Sequence, residues 1–96
     1  MDYKVILDKM ERLFINLGFS PVIINDVIFM KYKECYCKIT FLKDWSAFVI
    51  ESADNIQDAK KGVLEDGDLY YTDISESELL SRLKSDLINY YMNDWK

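Results

Sequence analysis

Histidine is absent from the 96 residues, proline occurs once, cysteine twice and glycine three times. Each shortage closes off a class of function. Without histidine the Ser/His/Asp and Cys/His arrangements cannot be assembled, because a hydroxyl or thiol nucleophile needs an adjacent base to activate it. The glycines, Gly18, Gly62 and Gly67, are scattered, so neither G-x-x-x-x-G-K-[ST] nor G-x-G-x-x-G is present to cradle a phosphate. Cys35 and Cys37 stand two apart. In an extended segment that spacing puts both on one face, without the turn that lets a C-x-x-C pair close. With no second pair and no imidazole, a zinc site has too few ligands, and the two read as free structural thiols of a strand. Long apolar runs are missing too. The stretch from Phe19 to Ile24 is broken by Ser20 and Pro21 and is far too short to cross a bilayer. Met1-Asp2-Tyr3-Lys4 leads directly into a charged amphipathic pattern with no basic start, apolar stretch or cleavage site, so a cytoplasmic location is expected.

Half the residues are hydrophobic and 15% are aromatic, enough apolar surface to offset the entropy of ordering one core. Residues 1–96 are therefore read as a single domain. The net charge of −5 is unevenly placed: residues 1–50 carry six acidic and seven basic side chains, residues 51–96 eleven and five. A surface so anionic in its second half repels a nucleic-acid backbone and steers a basic protein towards it.

Ile6, Met10, Leu13, Phe14 and Leu17 recur at steps of three and four, which predicts a helix from Tyr3 to Leu17, ended by Gly18 and kept from resuming by Pro21. From Val22 to Ser52 β-branched and aromatic residues dominate, punctuated at Asn25-Asp26, Lys33-Glu34 and Lys43-Asp44, and predict about four strands. Cys35, Cys37, Ile39 and Phe41 alternate with Tyr36, Lys38, Thr40 and Leu42, the period of a sheet with one face on a core. Connections this short require antiparallel pairing. Asp54 is positioned to cap a short helix from about Asn55 to Lys61 that stops at Gly62. A turn is predicted at Asp66-Gly67, with Leu69 to Tyr71 either a short edge strand or a loop. Ser75-Glu76-Ser77-Glu78 reads as a capping box for a second long helix with the stripe Leu79, Leu80, Leu83, Leu87, Ile88 and Tyr91, running to about Asn93. The expected class is α+β: an antiparallel sheet of about four to five strands with the N- and C-terminal helices on one face, leaving the other face as a working surface.

No catalytic residues are assigned. Carboxylates are plentiful, but no apolar pocket is legible that would raise the pKa of one of them for acid/base work. Glu65, Asp66 and Asp68 beside Gly67 lack the first and last elements of a calcium loop, so no metal or other cofactor is expected. What remains is a stretch where acids and aromatics interleave: Glu65, Asp66, Asp68, Tyr70, Tyr71 and Asp73. Tyrosine gives contact area at low entropic cost and carboxylates pair with arginine and lysine, so these six are the candidate partner-binding residues. The plainer alternative is that Leu69 and one tyrosine pack inward while the acids keep a loop dissolved. Trp45 and Trp95 are expected as lids of the core.

The run Trp45 to Asn55, with Phe-Val-Ile-Glu at its centre, then Asp58-Ala59-Lys60-Lys61, then Glu65-Asp66-Gly67-Asp68-Leu69-Tyr70, resembles the bacterial immunity protein 59 family, over roughly Trp45 to Leu87. That resemblance implies a protein without catalytic residues that binds and neutralises the toxic domain of a cognate polymorphic toxin inside the producing cell. Carboxylates standing in for phosphates would suit a basic nuclease as that toxin. A small acidic secretion chaperone, holding an unfolded segment along a sheet edge, shares most of these features. An enzyme or sensor using Cys35 and Cys37 is the third reading.

Overall fold

A computed structural model describes residues 3–92. Helix α1 (Tyr3–Leu17) leads into a five-stranded antiparallel sheet of β1 (Ser20–Ile24), β2 (Val27–Tyr32), β3 (Cys35–Leu42), β4 (Ala47–Ala53) and β5 (Glu65–Tyr71), in the spatial order of the sequence. Helix α2 (Ile56–Lys61) lies between β4 and β5, and α3 (Glu76–Asp86) follows β5 and continues as a wider π-type turn over Leu87–Tyr91. Among the described residues no helix is long and apolar enough to cross a membrane. The expected Asn93 end of the last helix and Trp95 lie outside the described residues.

The meander follows from local chemistry. Asn25 and Asp26 both adopt positive φ, 52° and 64°, as a two-residue hairpin turn whose twist matches its strands requires, and Asn and Asp tolerate that region best after glycine. Pro21 falls in β1, an outer strand, where a missing N–H costs the ladder least.

α1 buries Ile6, Met10 and Phe14, and α3 with its π turn buries Leu79, Leu83 and Leu87, against Met30, Cys37, Phe48, Ile50 and Tyr70 of the sheet. Truncating one of the large side chains here, such as Phe14→Ala, costs about 3–5 kcal/mol by comparison with other cores. Lys9 of α1 pairs with Glu76 at the start of α3. Phe19 meets Phe14 edge-on with ring centres 4.9 Å apart, and Tyr3 stacks on Phe41 at 4.5 Å.

Two features depart from the expected plan. The short helix α2 packs on the opposite side of the sheet from α1 and α3, where Ala59 joins Ile24, Phe29, Tyr36 and Ala53 in a second, smaller core. Asn25 Nδ2 donates to the Lys60 carbonyl at 2.8 Å, tying the β1–β2 turn to that helix. Its cap is Asn55, whose side chain accepts from the Asp58 N–H, and not Asp54. Asp66-Gly67 is not a turn: both residues lie within β5, which pairs with β4 from Ser52↔Glu65 to Ala47↔Tyr71.

Candidate interaction surface on the outer strand

Residues that face each other across an antiparallel pair share a side of the sheet, so the register sorts the outer strand. Phe48↔Tyr70 and Ser52↔Glu65 lie on the helix side, Ala47↔Tyr71 and Val49↔Leu69 on the open side. Between Leu69 and Asp66 the register shifts, and Gly67 and Asp68 together oppose Ile50. This is a bulge, two residues against one, and it returns Asp66 to the open side opposite Glu51. A Cβ on Gly67 would lie 2.6 Å from the Tyr91 hydroxyl and 3.0 Å from the Ile50 carbonyl oxygen, so the bulge requires glycine where the C-terminal turn presses on it.

The six sequence-selected residues therefore lie along β5 and just past it, but on two faces. Asp66 and Tyr71 belong to the open side. Glu65 and Asp68 flank clefts on the helix side that Tyr90 and Tyr91 also line. Asp73 is exposed beyond the strand. Tyr70 must be withdrawn from the contact set: it is 1% exposed, its ring packed in the main core and its hydroxyl donating to Asp86 Oδ2 at 2.5 Å. Burial, and then the bond to Asp86, push its phenol well above the ordinary value. The expectation that one tyrosine of this stretch packs inward applies to Tyr70, while Tyr71 remains exposed.

On the open side, above the area covered by α2, the register lays out three rows across β3, β4 and β5: Leu42, Ala47, Tyr71; Thr40, Val49, Leu69; Lys38, Glu51, Asp66. Thr40, Leu42, Val49, Glu51, Asp66, Gly67 and Leu69 line a shallow groove of about 320 Å³. Its floor is apolar, and the Glu51 carboxylate accepts from the Thr40 hydroxyl. Trp45, on the single 3-10 turn between β3 and β4, is 62% exposed and is not a lid. Sequence reasoning missed Thr40 and Glu51 as residues of this groove, whose floor includes the buried Val49. Alternation along β4 would have placed Val49 and Glu51 together, had the Phe-Val-Ile-Glu run not read as wholly apolar in its first three positions.

On the helix side a cleft of about 470 Å³ runs between the β2–β3 turn and the C-terminal turn, with Cys35, Glu65, Tyr90, Tyr91 and Met92 in its wall. Cys35 and Cys37 are free, with their Sγ atoms 3.7 Å apart. The hydrogen bond between the two sulfurs holds Cys35 below its ordinary pKa against the opposing effects of burial and Asp54, and the same bond followed by burial pushes Cys37 far up. Burial, and then the charge of the neighbouring thiols, push the Tyr91 phenol up to about 12. Among the described residues no group of three or more Cys, Asp or Glu side chains is placed to hold a metal ion.

No family model matches the chain, and no curated protein and no solved structure matches it.

Proposed function

We propose that this protein is an inhibitor of the immunity type, which binds the toxic domain of a cognate bacterial toxin in the cytoplasm of the producing cell and blocks it by occupation, without chemistry of its own. The observation that carries this reading is the outer strand β5, which carries the exposed carboxylates of Glu65, Asp66 and Asp68 and the exposed ring of Tyr71, with the exposed Trp45 on the turn before β4. Exposed aromatic rings and carboxylates along one strand suit a partner rich in arginine and lysine, and a basic nuclease groove is the surface such an edge would fill in place of phosphates. The residue pattern from Trp45 to Leu87 that resembles immunity protein 59 supports the same reading.

The test is co-expression with the product of the neighbouring gene. Rescue from its toxicity, together with a stable purified complex, is the expected result, and toxicity undiminished by the protein would overturn it. A second reading, a secretion chaperone that adds an unfolded segment to a sheet edge, is favoured by one feature: among the described residues β5 has no strand beyond it. A chaperone would capture unfolded segments of its client and would typically dimerise, so binding restricted to a folded toxic domain by a monomer separates the two.

A further inference from the structure

On the open side of the sheet Glu51 and Asp66 stand directly opposite each other across β4 and β5, one row along from Val49 and Leu69. All four line the groove of about 320 Å³. We propose that this groove seats one arginine side chain of the bound partner, its methylene stem lying on Val49 and Leu69 and its guanidinium held between the two carboxylates. That the partner is a toxin rests on the immunity reading; the groove and the cation it fits do not.

The register fixes the geometry. Side chains opposite each other on neighbouring antiparallel strands have Cβ atoms about 4.5–5.5 Å apart, so two carboxylates are brought together at one end of an apolar floor. Among the described residues neither is in an ion pair. Lys38, opposite Glu51 on its other side, lines the cleft between β2 and β3 instead. Like charges set face to face across two strands disfavour the sheet, and a cation arriving from outside relieves that repulsion. The pair exists only because the bulge at Gly67 and Asp68 returns Asp66 to the side of Glu51, and bulges re-aim side chains in this way beside binding sites. The Thr40 hydroxyl donates to Glu51 Oε1, which orients that carboxylate and leaves Oε2 for a ligand.

The chemistry selects among cations. A calcium ion takes about six or more oxygen ligands, and among the described residues no group of three or more Cys, Asp or Glu side chains is gathered to hold a metal. Lysine carries a compact, strongly hydrated charge. Arginine carries a planar fork of five N–H donors that meets two carboxylates at once and is more weakly hydrated. Successive rows lie about 6.6 Å apart along β4, two residues at about 3.3 Å each. An arginine stem laid along that interval covers the buried Val49 and the half-buried Leu69 while its head reaches the carboxylates.

The experiment is an NMR titration of the protein alone, at low salt, with the capped peptide acetyl-Ala-Arg-Ala-amide, its lysine counterpart and its neutral citrulline counterpart. The arginine peptide should give saturable shifts centred on Val49, Leu69, Glu51 and Asp66, the lysine peptide weaker ones and the citrulline peptide none. Glu51→Gln keeps an acceptor for the Thr40 hydroxyl, and Asp66→Asn keeps the shape of the strand. Each should weaken arginine binding about tenfold, whereas Glu11→Gln, on α1 across the sheet, should leave it unchanged. No saturable shift, shifts spread evenly over the acidic surface, an equal response to citrulline, or a double Glu51→Gln, Asp66→Asn variant that binds as the native chain does would each overturn the proposal. Lysine bound as tightly as arginine would overturn the choice of side chain. No toxin enters these readouts, so the groove and the immunity reading fail separately.

Discussion

The hydroxyl of Tyr70 enters the core with its own acceptor. Its ring is wedged among apolar side chains, with the Arg82 guanidinium carbon 5.4 Å from the ring centre, while Asp86 takes the hydroxyl proton. Tyr70→Phe keeps the packing and removes the bond. Since Asp86 is partly exposed and can turn to water, the loss should be about 1–2 kcal/mol, read from the midpoint of urea unfolding at constant slope. Gly67 poses a different problem, because nothing is missing there except room. Gly67→Ala sets a methyl against the Tyr91 hydroxyl and the Ile50 carbonyl, and should destabilise by about 1–3 kcal/mol. Tyr91→Phe added to it should recover part of that loss, because the phenol oxygen can be deleted and the backbone carbonyl cannot. A double-mutant cycle that gives strict additivity would show that the two residues do not meet.

At the level of elements, α2 and α3 start on side-chain acceptors. Ser75 Oγ accepts from the Glu78 N–H at 3.2 Å, and Glu76 and Glu78 place negative charge in the first turn of α3. Ser75→Ala should cost about 1 kcal/mol and Ser75→Gly only a few tenths, the ordering a cap predicts and a mere surface serine does not. The order of these two variants in thermal unfolding decides it. The outer strand is the element on which the proposed function depends, and its bulge gives a way to map the contact. Asp66 lies on the open side and Asp68 on the helix side. Asp66→Lys and Asp68→Lys, measured singly against the toxin domain, should therefore differ. The variant on the docked face should slow association and speed dissociation, with the larger effect at low salt. If neither variant nor their combination changes affinity, β5 is not the contact.

For the whole molecule the buried phenols set a limit on the alkaline side. Tyr70 and Tyr91 both have pKa values raised in the folded state, Tyr91 from 10.0 to about 12. A group raised in this way contributes its full stabilisation below the unfolded value and loses it as pH climbs through the folded one. Stability should thus hold up to about pH 10 and fall between pH 10 and 12, with a shallower fall in Tyr91→Phe, as measured by urea midpoints along that range.

Local patterns were enough for much of this architecture. The stripe Ile6, Met10, Phe14, the turn at Asn25-Asp26, the Ser75 cap and the alternation through Cys35, Cys37, Ile39 and Phe41 are properties of a few neighbouring residues, set by steric and hydrogen-bonding rules that act within one or two turns of chain. What tertiary structure alone decided was which sides are covered. Alternation would have grouped Asp66, Asp68 and Tyr70 on one face. The bulge opposite Ile50 carries Asp66 to the other, and contact with α3 draws Tyr70 into the core. Helix α2 has an apolar face in any setting, but its side of the sheet depends on where β4 leaves it, and Trp45 is exposed because none of the described elements covers its ring. Burial is a relation between segments far apart in sequence, so a periodicity can name the face that wants covering and not the element that covers it.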